Sequence, residues 1–290
     1  MHTTFQLSCE STVDFPYSHM AERNIPVLFY TYTLEEQEYE DDMLRDPNAL
    51  PRFFAQLKTG AKPSTSQINV SRYLSFFEPL LEKGDLLHIA FGTGMTPSYY
   101  NTCRAAEALR EKYPERKLVV IDSLCSCIGY GMLTDLAADL RDSGCTLEET
   151  AKHIADMRLH VHHQFFSTDL TQFRRSGRVS GPAATVGTLL NICPLMHLDR
   201  AGKIIAYSKI RGIRQVIAAT VDTVVANSTP STNIYRIGHS QCRELAQQTA
   251  DALRQRAGDV PIEIMDIGTI ISAHCGPGTV AVFFFGKNRE

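Results

Sequence analysis

The sequence predicts an α/β protein of two domains, with a largely parallel sheet in its first half. Three observations carry the prediction. At 290 residues the chain is long for one core, since domains of about 150 residues are typical. Its first half alternates short apolar runs with longer amphipathic ones, the pattern of β-α units. Its usage, 43% hydrophobic and 21% charged residues, is that of a folded globular protein and excludes disordered, collagenous and coiled-coil chains.

The elements follow in order. Pro63-Ser64-Thr65-Ser66-Gln67 reads as a loop and helix start before the amphipathic stretch Val70 to Leu81. Leu86 to Phe91 (LLHIAF) is a near-continuous apolar run closed by Gly92-Thr93-Gly94, and so a buried strand. A helix is expected from about Pro97 to Tyr113, with Thr96 as N-cap and Pro97 at the first helical position, where proline is tolerated best. Lys117 to Ile121 (KLVVI) forms the next strand, and Ile128 to Asp142 the next helix. Thr146 with Glu149 three residues on is a capping box opening a helix to about His160.

The texture changes near residue 163, so the expected domains are 1–163 and 164–290. Gln164 to Leu170 reads as a strand, followed by a polar Arg-Arg-Ser-Gly-Arg loop, a helix over Ala183 to Leu190 and a strand over Cys193 to Leu198. Asp199-Arg200-Ala201-Gly202 is a hairpin turn into Lys203 to Ser208. Helices at Ala218 to Ala226 and Cys242 to Ala257 alternate with strands near Asn233 to Gly238, Ile262 to Ile267 and Val280 to Phe285.

Charge and cysteine usage narrow the function. With 29 basic and 32 acidic residues the formal charge is -3, so no global field draws nucleic acid or an anionic membrane. Within that acidic chain, Gln172 to Val216 carries eight basic residues (Arg174, Arg175, Arg178, Arg200, Lys203, Lys209, Arg211, Arg214) against Asp199 alone, which suits an anionic ligand group or an acidic partner. Glu35 to Asp42 (EEQEYEDD) reads as a solvated loop or helix face. The eight cysteines form no CxxC pair and read as reduced thiols, no apolar run spans a bilayer, and the opening residues lack the pattern of a signal peptide. The expected location is cytoplasmic, with at most transient contact with a membrane surface.

Several constellations carry chemistry. Thr96 offers a hydroxyl at a helix N-terminus, where free N–H groups and the dipole favour an anion. His274-Cys275-Gly276-Pro277-Gly278 sets an imidazole at the edge of a tight turn. His160, His162 and His163 lack the spacing of a metal site, so no metal is expected. Cys125-Ser126-Cys127 has no neighbouring base. The chain contains no GxGxxG, Walker loop, GxSxG or HExxH.

These segments, in this order, resemble the DegV family of bacterial fatty-acid-binding proteins. Glu10-Ser11-Thr12-Val13-Asp14-Phe15-Pro16 matches its Asp-Ser-Thr-x-Asp-x-Pro opening, with glutamate for the first aspartate, and Thr65-Ser66-Gln67 its Thr-Ser-Gln motif. Met95-Thr96-Pro97-Ser98-Tyr99 corresponds to Leu-Ser-Gly-Thr-Tyr, and Val120-Ile121-Asp122-Ser123 to the strand that follows. Ser176-Gly177-Arg178-Val179-Ser180 stands for Gly-Gly-Arg-Ile-Ser, and Leu189-Leu190-Asn191-Ile192-Cys193-Pro194-Leu195 for Leu-Leu-x-Ile-Lys-Pro-Ile. Lys209-Ile210-Arg211 and the His274 to Gly278 turn complete the set.

The resemblance implies a two-domain DegV-like fold, an N-terminal Rossmann-like parallel sheet with flanking helices plus a C-terminal α/β sandwich domain. It implies one buried long-chain fatty acid, its tail in the second domain and its carboxylate in the interdomain cleft. It also implies presentation of the carboxyl group to a separate fatty acid kinase subunit that forms the acyl phosphate, so the chain would be a binding subunit without an ATP site or other cofactor. The carboxylate ligands carried over are Thr65, Thr96, His274 and Arg178, and Arg175 and Arg211 are carried over to the partner face. The tail is expected along apolar segments such as Val186 to Met196 and Val280 to Phe285. Thr96 and Pro97 where the family has serine and glycine, Ser176 for glycine and Cys275 for threonine leave every required donor in place. Two other readings stand beside this one: a carrier of another amphiphile such as an isoprenoid or unusual lipid, and an enzyme acting on a small acid through His274, Cys125 or Cys275.

Overall fold

Residues 5–180, 192–229 and 234–290 are described by the structure, a computed structural model, and they fall into two compact units, residues 1–158 and 159–290. The helix expected over Ala183 to Leu190, the Leu189-Leu190-Asn191 part of its motif and the start of the strand at Asn233 lie outside the described residues.

The first unit begins with β1 (Gln6–Glu10), α1 (Tyr17–Glu22), β2 (Val27–Leu28), β3 (Thr31–Leu34), β4 (Gln37–Glu40), α2 (Ala49–Lys58) and β5 (Ser64–Ser66). It continues with α3 (Val70–Leu81), β6 (Leu86–Ala90), α4 (Ser98–Lys112), β7 (Leu118–Asp122), α5 (Cys127–Asp142) and α6 (Leu147–Met157). Among the described residues β2-β1-β6-β7 form a parallel sheet, the Rossmann-like arrangement that β-α alternation predicts. Every residue of β6 is buried, which is why it reads as an unbroken apolar run instead of an alternating one. Leu7, Leu86, Leu87 and Ile89 are fully inaccessible, and each such side chain contributes roughly 1.5–3 kcal/mol on burial.

Two stretches differ from the sequence reading. Glu35 to Asp42 is the tip and second strand of a β3–β4 hairpin, with Glu35 and Glu36 at φ 49° and 68°; two positive φ values match the right-handed strand twist. Thr65 lies on β5, paired with Tyr32 in the antiparallel sheet β4-β3-β5, where a loop and helix start was expected. Strands of three and four polar residues carry too little periodicity to be read. The capping box at Thr146 is present, its Oγ1 accepting from the Glu149 N–H at 3.2 Å while the Glu149 carboxylate accepts from the Thr146 N–H at 2.8 Å.

The second unit comprises β8 (Val161–Ser167), α7 (Thr171–Ser176), β9 (Val179–Ser180), β10 (Ile192–Leu198), β11 (Ile204–Arg211) and α8 (Ile213–Asn227). After these come β12 (Tyr235–His239), α9 (Arg243–Ala257), β13 (Ile262–Asp266), α10 (Thr269–Cys275) and β14 (Thr279–Phe285). Its sheet runs β13-β12-β14-β8-β10-β11-β9 and is mostly antiparallel. The boundary expected at residue 163 falls inside β8, a central strand of this sheet, and the division comes before it. Phe166, Leu195, Val282 and Phe284 pack from one face against Val216 and Val224 of α8 and Ala250 of α9. Phe165 points the other way and stacks on Phe173 of α7, ring centroids 6.3 Å apart. The Arg-Arg-Ser-Gly-Arg segment is the end of α7 and its C-cap, Gly177 adopting φ 66°.

Candidate functional site

In the first unit the chain turns sharply after β6. The Met95 and Thr96 N–H groups both donate to the Gly92 carbonyl, at 2.9 and 3.3 Å, and the Gly92 N–H donates to the Cys125 carbonyl at 3.0 Å. A Cβ on Gly92 would lie 2.7 Å from that carbonyl oxygen, so glycine is required by close approach of two backbones. Asp122, at the end of β7, pins the same turn by accepting from Thr93 N–H and Oγ1 at 3.1 and 2.6 Å.

Thr96 emerges from this turn nearly buried. Helix α4 starts at Ser98 with Pro97 as N-cap, so Thr96 stands one residue further out than expected. It still serves the helix end: its Oγ1 accepts from the Ser98 N–H at 3.3 Å and lies 3.0 Å from Ser98 Oγ. Thr65 is half-buried on β5, between exposed Ser64 and Ser66.

A network absent from the sequence reading lies behind Thr96. The Glu10 carboxylate, wholly buried, accepts from the Tyr73 hydroxyl and from the Phe91 N–H at 2.7 Å, with His88 Nε2 at 3.5 Å. His88 Nδ1 lies 2.9 Å from Ser8 Oγ on the neighbouring strand. The Glu10 N–H donates to the Tyr130 hydroxyl at 2.9 Å, and that hydroxyl donates to the Ile89 carbonyl. Burial, then the Glu10 charge, pushes the Tyr30, Tyr73 and Tyr130 phenols up, so all three keep their protons at neutral pH. Glu10 was legible as part of a motif, but three tyrosines scattered over a hundred residues leave no local signal.

In the second unit α7 and α10 bring His274 and Arg178 together. The α-carbon of Gly276, at φ 68°, faces Gln172 of α7, and Ser176 Oγ donates to the His274 carbonyl at 3.4 Å. Exposed Arg178 donates to the Ser176 carbonyl at 2.5 Å. Burial, and then the Arg178 charge, lowers the His274 pKa to about 4, so at neutral pH the imidazole is uncharged and offers one N–H donor and one acceptor. On α7 and the strands next to it, an apolar slot of about 70 Å³ is lined by Leu170, Phe173, Val179, Pro194, Met196 and Ala206, with Arg174 and Gly177 completing its wall. Val280, Val282 and Phe284 of β14, expected along a tail, are instead core side chains packed with α8 and α9.

The two basic residues expected on the partner face, Arg175 and Arg211, lie on different elements. Arg175 is exposed on α7 and donates to Gln172 Oε1 at 3.3 Å. Val179 pairs with Ile204 at the start of β11, whereas exposed Arg211 ends that strand opposite Ile192. Seven residues of strand, roughly 20 Å, therefore separate the level of Arg178 from Arg211. The histidines considered for metal have other partners: His160 Nδ1 and His162 Nε2 meet the carbonyls of Gly286 and Lys287 at 2.9 and 2.6 Å, and His163 packs edge-on to Phe283. Among the described residues no group of three or more histidine, cysteine or acidic side chains is arranged to hold a metal ion, and no helix is long and apolar enough to cross a membrane.

The comparisons with known proteins agree with this architecture. A DegV domain-containing protein of Clostridium perfringens is 30% identical over 291 residues, covering 99% of each chain. A solved DegV family protein from Thermus thermophilus, described by its fatty acid binding, superposes with a TM-score of 0.85 at 22% identity, over 98% of this chain and 100% of that one. One from Eubacterium eligens, loaded with heptadecanoic acid, gives 0.84 at 19% identity, over 98% and 100%. A sequence model described as uncharacterised protein, DegV family, matches residues 4–287, and with that near-complete span this chain belongs to the DegV family.

Proposed function

We propose that this chain binds a single long-chain fatty acid and presents its carboxyl group to a separate kinase for acyl-phosphate formation. The carboxylate ligands assigned are Thr65 and Thr96 on the first unit and His274 and Arg178 on the second. The observation that carries the reading is the apolar slot of the second unit, lined by Gly177 and Val179, the two residues on either side of Arg178 in sequence. Solved family members that bind fatty acids, one of them loaded with heptadecanoic acid, support the ligand class.

The chemistry of the assigned groups fits the task. Hydroxyls and a neutral imidazole hold a carboxylate by hydrogen bonds without neutralising it in a tight ion pair, which leaves an oxygen nucleophilic enough to be phosphorylated. The tail supplies the affinity, at roughly 0.8 kcal/mol per buried methylene. In this reading the chain is a binding subunit, and the phosphoryl chemistry belongs to the kinase.

Denaturing extraction of the purified chain followed by mass spectrometry tests the ligand. A stoichiometric fatty acid supports the reading and sets the chain length; a different amphiphile replaces the ligand class. An empty chain that also refuses added fatty acid ends the proposal. Thr96→Val and His274→Ala are expected to weaken fatty-acid binding by about tenfold each, the scale of one hydrogen bond to a charged group.

A further inference from the structure

The first unit contains a buried hydroxyl with no acceptor. Tyr30 is 3% exposed, its ring edge-on to Phe91 with centroids 6.0 Å apart and its N–H held by Ser11 Oγ at 3.1 Å. Both ends of the residue are thereby fixed. The phenol oxygen nevertheless meets no partner in hydrogen-bond geometry. Around it are the hydroxyls of Thr96, Ser98 and Tyr73, near enough to moderate its acidity.

The neighbouring protons are accounted for. Tyr73 gives its proton to Glu10. Thr96 and Ser98 face each other at 3.0 Å and share one proton, and Thr96 Oγ1 also accepts the Ser98 N–H. One of their two hydroxyl protons is left over, so the nest at the start of the 15-residue helix α4 gathers that O–H and the unpartnered Tyr30 hydroxyl. Leaving a buried donor unpaired is costly, and an arriving anion removes the cost.

We propose that Tyr30 is a further ligand-binding residue of this protein, its hydroxyl donating directly to a carboxylate oxygen held at Thr96. The assignment rests on the fatty-acid reading and adds to it a donor on a different element, just before β3. Burial and the Glu10 charge keep the phenol protonated, so the group remains a donor wherever a carboxylate is ionised. A phenol that cannot ionise complements Thr96 without adding charge, so the carboxylate keeps its own.

The test compares the delipidated full chain with Tyr30→Phe, which removes one oxygen, using heptadecanoic acid and 1-heptadecanol as probes. The variant is expected to bind the acid about tenfold more weakly or worse while its affinity for the alcohol changes much less. Its ligand-free urea midpoint should be unchanged or higher, because an unpaired donor has gone. Equal affinity of both proteins for the acid, or an equal loss for acid and alcohol, overturns the role of Tyr30 and leaves the fatty-acid reading standing. Failure of the unaltered chain to take up heptadecanoic acid overturns the fatty-acid reading first, and Tyr30 loses its acceptor with it.

Discussion

Arg178 stands close enough to His274 for its positive charge to add to burial in holding the imidazole near pKa 4. The ring therefore meets its surroundings as a neutral donor and acceptor at physiological pH. His274 belongs to the last turn of α10 and Arg178 to the residues after α7, so their pairing depends on how those two short helices pack.

That pairing sets a pH dependence. Between about 4 and the ordinary value near 6.5 the unfolded chain binds a proton at His274 that the folded chain refuses, so stability is complete above that window and falls as pH drops through it. The loss approaches about 3 kcal/mol below pH 4. His162, His197 and His239 are also lowered by burial and add to the slope with the same sign. His274→Gln should flatten the acid limb of a urea-unfolding series between pH 4 and 7.5, and Arg178→Ala should raise the imidazole pKa followed by NMR. Identical acid limbs for wild type and His274→Gln would contradict the assignment.

Glu10 ties β1 to α3 and to the end of β6. In Glu10→Gln one oxygen becomes an NH₂ facing the Phe91 N–H or the Tyr73 hydroxyl, both donors. A loss of about 3 kcal/mol in urea unfolding is expected, within the range for breaking a buried charged network. A change below about 0.5 kcal/mol, the scale of a neutral surface substitution, would show that the network relaxes around the amide.

Gly92→Ala places a methyl group against the Cys125 backbone, which has no flexible end to swing away. The turn carrying Thr96 has to open. Lower thermal stability should therefore accompany weaker fatty-acid binding, whereas Gly60→Ala, whose Cβ meets nothing within 4 Å, tests the cost of positive φ alone and should leave binding intact. Equal binding by Gly92→Ala and wild type would detach Thr96 from the ligand.

Arg178 precedes Val179, which pairs with the start of β11, whereas Arg211 ends that strand, so their substitutions should separate. Arg178→Ala is expected to weaken binding of a fatty acid several-fold, while Arg211→Ala leaves it unchanged and lowers the rate at which a partner kinase phosphorylates the bound acid. Loss of lipid binding by a folded Arg211→Ala protein would refute this division.

Much of the scaffold was legible in the sequence. β6, β7, α4 and α5 follow from apolar run length and helical periodicity, and the capping box at Thr146 from two side chains three residues apart. These signals are local, and the finished fold honours them. Strand β5 and helix α10 escaped, because three polar residues have no period and because the Gly276-Pro277-Gly278 turn masks the seven-residue helix before it.

The sequence by itself determined the alternation of strands and helices, the family motifs and the residue types available for a carboxylate: Thr65, Thr96, Arg178 and His274. Tertiary structure alone decided that Tyr30 stands near Thr96 and Ser98, that Tyr73 and the Phe91 N–H meet on Glu10, and that Arg178 shares a locality with His274 but not with Arg211. The reason is physical. Propensity and periodicity act over a few residues, whereas burial and proton sharing depend on side chains that only packing brings together, here from positions 60 to 120 apart.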